Sequence, residues 1–284
     1  MSVAAEHISS VFEKLERDLV KLSSKQTAAS VHNFRIGASR VQTLFQQLLP
    51  ESDRNQKKLL KMFSRMRKRA GRIRDLDVQL AALRSLKVSQ EPRRKTHLMN
   101  TLIELRTEHE KKLRKVLTKD EVREIRKRLR RAHKDLRVDQ IRDPLKTARQ
   151  MLAQVARPQG APTAEQLHRY RIVTKRARYV AEFAPKSAEA EEVMAQLKRA
   201  QDALGDWHDW LTLEHTAAQR LGDVHESSLV AVLHNLAGSK FRRAVSTLPM
   251  ASPAEAPAAK RMARHSVPAS ADEKYSGNVA SSAA

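Results

Sequence analysis

Histidine and basic side chains recur in the same order in two segments, VHNFRIGASRV at residues 31–41 and LHRYRIVTKRARY at residues 167–179. His32 and His168 stand 136 residues apart. The same offset relates three further pairs, which are Arg35 and Arg171, Ile36 and Ile172, and Arg40 and Arg176. A shared pattern at one fixed offset predicts two copies of a structural unit somewhat over a hundred residues long.

The second segment forms a cationic stripe if it folds as a helix. Steps of roughly 100° per residue bring four side chains within about a quarter of the circumference. These are His168, Arg171, Lys175 and Arg178. Arginine binds phosphate through parallel hydrogen bonds and keeps its charge, and neutral histidine donates from one ring nitrogen. The stripe is therefore suited to an anion, with a merely solvated face as the alternative.

The first segment carries the same stripe with fewer charges, because Ser39 and Gln42 follow His32 and Arg35. The apolar residues of this helix project nearly opposite His32, and they are Phe34, Ala38, Val41, Phe45 and Leu48. For His32 and His168, the alternative to a ligand contact is a hydrogen-bonded histidine that orders a helix interface. A metal role is disfavoured, since no histidine or carboxylate accompanies either one at the i,i+4 spacing.

A third cationic segment spans residues 57–74, which hold nine basic residues and no acid. Within it, Arg67, Gly71 and Arg74 fall on one helical stripe, so this helix also presents a line of cations. Residues 111–134 hold twelve basic residues, but three acids lie among them. We interpret residues 111–134 as a solvated face.

Acidic residues follow both Gly71, in GRIRDLDV, and Gly205, in LGDWHDW. Each acid could orient a cation of a neighbouring helix, or it could stabilise the positive N-terminus of a new helix. For Asp75 and Asp209 the sequence leaves these two roles open. The helix start is favoured for two others, Asp77 and Asp206.

Charge restricts the possible partners. The net charge is +23, from 55 Lys and Arg against 32 Asp and Glu, and residues 250–284 contribute only +1 of it. A body this basic attracts polyanions such as nucleic acid, an anionic membrane surface or a phosphate polymer. The absence of cysteine excludes disulfides and thiol catalysis. No apolar run approaches the roughly 20 residues needed to span a bilayer, and no signal peptide is evident, so a cytoplasmic protein is expected.

Composition and periodicity predict an all-α fold. Aromatic residues make up 4% of the chain and there are seven glycines, while good helix formers abound. Helices are predicted over residues 2–22, 27–49, 51–70, 73–86, 92–117, 121–136, 139–155, 164–183, 187–204, 206–221 and 226–248. Gly71 and Gly205 are predicted to break or kink the chain. The economical architecture is two bundles of about four helices related by a pseudo-two-fold axis. The repeats would cover about residues 5–136 and 137–248, and residues 249–284 are predicted to be disordered.

The two histidine segments, together with GRIRDLDV and LGDWHDW, resemble the CHAD family, the conserved histidine α-helical domain. The resemblance covers roughly residues 5–248. It implies two four-helix bundles around a basic central cavity that binds inorganic polyphosphate, without a catalytic role. Ser39 and Gln42 depart from the family pattern, which usually has arginine there. The predicted polyphosphate-binding residues are His32, Arg35, Arg40, Arg67, Arg74, His168, Arg171, Lys175, Arg176 and Arg178, and no cofactor or metal is expected.

Three classes of function remain. The first is a polyphosphate-binding module, which could place the protein on polyphosphate granules. The second is a non-specific nucleic-acid binder, which electrostatics allows although aromatic residues are few and no base-reading motif is present. Trp207 and Trp210 are expected in the core rather than stacked on bases. The third is an enzyme acting on phosphate polymers, which the scattered acids disfavour because they do not assemble a metal site.

Overall fold

A computed structural model of the chain describes residues 3–87, 91–155 and 161–248, and within these ranges it contains nine α-helices and no strand. The helices are α1 (Val3–Ser24), α2 (Ala28–Thr43), α3 (Arg54–Ser85), α4 (Pro92–Arg114), α5 (Lys119–Lys134), α6 (Pro144–Ala153), α7 (Ala164–Ala181), α8 (Ala188–Leu221) and α9 (Ser228–Ser246). A π-helical turn, Leu44–Leu48, extends α2, and a 3-10 turn, Val138–Gln140, precedes α6. The all-α prediction is confirmed for the part of the chain that the structure describes.

Side-chain caps set the starts of the helices that carry the predicted site. The hydroxyl of Thr27 accepts a hydrogen bond from the backbone N–H of Ser30 and so begins α2. Thr163 and Gln166 form a reciprocal capping box at the start of α7, with hydrogen bonds of 3.2 and 2.8 Å. Both devices satisfy N–H groups that a helix start would otherwise leave unpaired.

The predicted breaks at Gly71 and Gly205 are wrong. Helix α3 runs without interruption through Gly71, and α8 runs without interruption through Gly205. A glycine inside a helix costs about 1 kcal/mol relative to alanine, which is too little to end a helix that is packed on both sides of it. Ala70 and Ile73 are fully buried beside Gly71. Tertiary packing therefore overrides the local propensity.

Helix α5 is a core element rather than a solvated one. It packs against α1 and α3 and buries one apolar stripe, consisting of Val122, Ile125, Leu129 and Ala132. Four small and branched residues at helical spacing are enough to hold α5 against the core. Its basic residues occupy the remaining face.

The hydrophobic cores join the two halves of the chain. The largest cluster contains buried residues of α1, α2, α3 and α5 together with residues of α6, α7 and α8. A second cluster contains residues from the C-terminal part of α3, together with residues of α4, α8 and α9. The described residues thus do not separate into one core for each repeat, and the predicted symmetry of two four-helix bundles is not confirmed. The predicted disordered tail, residues 249–284, lies outside the described residues.

A helix that crosses a bilayer must be both long and apolar. Across the described ranges, every helix is too short or too polar to cross a bilayer.

Candidate anion-binding site

Helices α2, α3, α7 and α8 meet one another in the pairs α2–α3, α7–α8, α3–α8 and α2–α7. Where they meet, five basic side chains come within electrostatic reach of one another or, in the case of Arg74, of the shared neighbours Asp209 and His32. We call them the cationic cluster, and they are Arg35, Arg67, Arg74, Arg171 and Lys175. The cluster draws Arg35 from α2, Arg67 and Arg74 from α3, and the remaining two from α7. Cations that are far apart in sequence are therefore brought together.

Arg35 links α2 to α3. Its guanidinium lies 3.6 Å from an Asp75 carboxylate oxygen and donates to the backbone carbonyl of Gly71 at 3.5 Å. A Cβ atom on Gly71 would lie 3.8 Å from the Arg35 guanidinium carbon, an ordinary contact distance. The side chain of Arg35 therefore rests directly on the backbone of α3. Asp75 orients it, which is one of the two roles the sequence left open.

Burial and mutual repulsion disfavour the charged forms of these side chains. Burial is the largest cause that lowers the pKa of Arg67, and Arg35 adds to that effect. Burial likewise lowers the pKa of Arg171, although Asp209 and Asp75 oppose the shift. The effect is strongest at Lys175, where burial, followed by repulsion from Arg171 and Arg35, lowers the pKa to about 8. In the absence of a bound anion, this site is short of negative charge.

Asp209 of α8 supplies part of the missing negative charge. Burial raises its pKa to about 6, and the attraction of Arg171 and Arg74 limits the rise. Asp209 therefore faces cations of both α3 and α7, as a carboxylate that orients them would. The helix start predicted at Asp77 and Asp206 is wrong, since both lie inside continuous helices. Asp77 accepts a hydrogen bond from Arg106 at 2.9 Å, and Asp206 lies 2.8 Å from the Lys240 ammonium.

The histidines border the cluster at different depths. Burial, followed by Arg74 and Arg35, lowers the pKa of His32, so it is a neutral donor at pH 7. His168 is exposed, and its ring centroid lies 5.4 Å from that of His208. Burial and the nearby Arg171 lower the pKa of His208 to about 4. His208 was not among the predicted binding residues, although its i,i+3 spacing from Gly205 places both on one face of α8.

Three predicted site residues lie beside the cluster. Arg40 and Arg178 both meet the Glu182 carboxylate, with Arg178 at 2.9 Å. Arg178 also donates to the Gln201 side chain at 2.7 Å. Glu182 thereby joins α2 to α7, and the exposed fraction of its side chain is only 10%. Arg176 is exposed at the rim. Whether these three arginines bind phosphate stays a prediction.

The fully buried side of α2 and α8 supports the cluster from behind. Phe34 and Ala38 have no exposed surface, as expected from the pattern opposite His32. Trp207 is 2% exposed and packs edge-on against Phe241, so it belongs to the core. Trp210 is half-buried and donates from its indole nitrogen to Asp206 at 3.2 Å. Trp207 therefore offers no open face for a nucleic-acid base, and Trp210 packs against the second core cluster.

Two cavities lie away from the cluster. One, of about 850 Å³, is lined by residues of α6, α7, α8 and the end of α9, including Leu152, Tyr170, Val193 and Leu197. Another, of about 430 Å³, lies between α1 and α5 beside Glu16 and Arg126. Neither includes a predicted site residue. Over the described ranges, no group of three or more histidine, aspartate or glutamate side chains is arranged to hold a metal ion.

Comparisons with known proteins agree with the helical architecture. A family model described as the CHAD domain matches residues 3–218. The crystal structure of the CHAD domain from the plant Ricinus communis superposes with a TM-score of 0.60 at 19% identity, covering 87% of this chain and 93% of that one. A second structure, PptA from Streptomyces chartreusis, has a TM-score of 0.60 at 15% identity, covering 86% and 94%. No curated protein matches this chain. At these identities the structures share the fold.

Proposed function

The chain belongs to the CHAD family, the conserved histidine α-helical domain, and we propose that it binds inorganic polyphosphate at the cationic cluster. The observation that carries the proposal is the excess of partly buried positive charge at one place. Five cations of the cluster face two carboxylates, Asp75 and Asp209, and Lys175 has its pKa lowered to about 8. Such an arrangement is costly in the free protein and favourable once an anion is bound.

The chemistry of the cluster fits a phosphate polymer. Polyphosphate is a chain of regularly spaced negative charges whose oxygens accept hydrogen bonds and donate none. Arginine and lysine are the matching donors, and a neutral His32 can add one more. Because α2 and α3 supply one wall and α7 supplies the other, each repeat would hold one side of the polymer. The resulting basic passage between the repeats is part of the proposal.

Polyanion binding at this site should release counterions and weaken with added salt. Removing one phosphate-contacting cation reduces the slope of log affinity against log salt by about one. Nucleic acid is the competing ligand, because non-specific electrostatics would attract it too. The burial of Trp207 argues against base stacking on that residue.

A competition titration separates the two ligands. Long-chain polyphosphate and duplex DNA are titrated against the protein at equal total charge and roughly physiological salt. We expect polyphosphate to displace DNA at a lower concentration of charge than the reverse. If DNA displaces polyphosphate more readily, the protein is a nucleic-acid binder and the polyphosphate proposal is wrong.

The proposed role is binding and not catalysis. The acids nearest the cluster are used to orient arginines, and we assign no residue to a chemical step. In cells, the protein would then accumulate on polyphosphate granules. A fluorescent fusion should localise to granules, and an Arg171→Ala, Lys175→Ala variant of it should remain diffuse. Equal granule localisation of both fusions would argue against the cluster as the targeting site.

A further inference from the structure

A row of side chains along α3 leads to the cationic cluster. Spacings of three and four residues align positions 57, 61, 64, 68, 71 and 75 on one side of this helix. Gly71 and Asp75, at one end of this line, both meet Arg35. The other end carries three exposed lysines, which we call the lysine row, and they are Lys57, Lys61 and Lys68.

The lysine row lacks neutralising partners. Among the described residues, none of its three ammonium groups lies within 4.0 Å of a carboxylate. Arg65 of the same helix, by contrast, is paired with Glu121 of α5. The row is therefore a line of free positive charge, and its geometry follows from α3 being one unbroken helix. A kink at Gly71 would have turned the row away from the cluster.

Helix α8 has no such row at the corresponding positions. Gly205 follows Gly71 by 134 residues, and this offset matches the lysine-row positions to Glu191, Ala195 and Asp202. Asp202 is already paired with Lys198, whose ammonium lies 2.9 Å away. The α8 surface is neutral to acidic where α3 is basic. A polyanion that leaves the cluster is therefore attracted along α3 and not along α8.

We propose that polyphosphate bound at the cationic cluster continues along the lysine row, so that long chains bind more tightly than short ones. This inference rests on the proposed function. From Lys57 to Lys68 the helix advances about 16 Å, which is the length of polymer that the row can contact. Each exposed lysine contributes little alone, but the cluster holds the polymer nearby and makes every further contact intramolecular.

The test compares chains of increasing length on three full-length proteins. They are the wild type, a Lys57→Gln, Lys61→Gln, Lys68→Gln variant, and a control variant. The control removes three exposed lysines of the α5 segment in the same way, at Lys119, Lys127 and Lys134. Glutamine preserves helix propensity, and circular dichroism confirms that each variant is folded. Affinities are measured per mole of chain at near-physiological salt.

We expect the lysine-row variant to lose about tenfold in affinity for the longest chains and less than twofold for the shortest. The control should change less than threefold at every length. An equal loss in both variants, or the same length dependence in the lysine-row variant as in the wild type, would overturn the inference. A failure of the proposed function looks different, because Arg171→Ala with Lys175→Ala would then leave binding unchanged at all lengths.

Discussion

The cationic cluster and helix α5 are both rich in arginine, yet the arginines of α5 are each paired with a carboxylate. Arg126 and Arg130 of α5 both donate to Glu16 of α1, at 2.8 and 2.5 Å. The hydrogen bond from Arg130 is the largest cause that lowers the pKa of Glu16. Arg128 and Arg131 pair with acids on or next to their own helix, Glu124 and Asp135. These contacts fasten the surface of a core helix.

In the cluster, five cations share two carboxylates, Asp75 and Asp209. Lys175 meets repulsion from Arg171, Arg35 and Arg67 and is buried as well. The two regions therefore have similar composition and opposite electrostatics. The number of basic residues does not identify an anion site, whereas an excess of cations over acids at one place does.

The largest effect is expected when two cations of the cluster are removed. Arg171→Ala with Lys175→Ala should weaken polyphosphate binding on the order of 100-fold, since each charge-assisted hydrogen bond is worth roughly 1.5–3 kcal/mol. Isothermal titration calorimetry at fixed salt measures the change. The matched control is Arg123→Ala with Lys127→Ala on the exposed face of α5, for which we expect less than threefold. Equal losses would mean that the charge acts diffusely.

The next effect is a dependence on pH. A bound anion favours the charged form of Lys175 and raises its pKa from about 8, so the complex holds a proton that the free protein releases. Affinity should therefore fall as pH rises through 8, by about tenfold between pH 7 and pH 9. Lys175→Met should bind more weakly at pH 7 and lose this part of the pH dependence. An unchanged pH profile in that variant would contradict the role given to Lys175.

The free protein should show the opposite trend in stability. Lysine in the unfolded chain has an ordinary pKa, so between pH 8 and about 10 the unfolded state holds a proton that the folded state has lost. The free energy of unfolding should rise over that window relative to the Lys175→Met variant. Below pH 8 the variant should be more stable than the wild type by a few kcal/mol. Urea unfolding of both proteins at several pH values measures the difference.

Glu182 distinguishes a structural contact from a ligand contact. It holds both Arg40 and Arg178, so Glu182→Gln should destabilise the protein by roughly 1–3 kcal/mol in urea unfolding. Polyphosphate affinity should change less than threefold. If the variant instead binds much more tightly, the two arginines released from Glu182 are phosphate ligands.

The smallest effect compares open and packed positions on the helices. A Cβ on Gly205 would have no neighbour within 4 Å, whereas a Cβ on Gly37 would lie 3.1 Å from Leu15. Gly205→Ala should stabilise the protein by about 0.5–1 kcal/mol through helix propensity. Gly37→Ala should destabilise it by roughly 1–3 kcal/mol through overpacking. Thermal unfolding measures both, and a loss of stability in the Gly205 variant would mean that the space beside it is not open.

Residue propensities and helical periodicity predicted the helices and the cationic stripes. They could not predict which side chains of different helices contact each other. The stripe of Arg171 and Lys175 follows from spacing within one helix. Glu182, in contrast, accepts a hydrogen bond from Arg40, which lies 142 residues earlier in the chain. No local sequence pattern predicts a pair so far apart. The interruption predicted at Gly71 failed because burial outweighed propensity. The high charge of α5 gives no sign of the short apolar stripe that packs this helix against α1 and α3.

The most direct measurement is a crystal structure of the protein with polyphosphate bound. We expect consecutive phosphates between the repeats. On one side they should lie within hydrogen-bond distance of Arg35 or Arg74, and on the other side within hydrogen-bond distance of Arg171 or Lys175. Phosphates bound only on outward-facing surfaces such as α5, with none between α2 and α7, would contradict it.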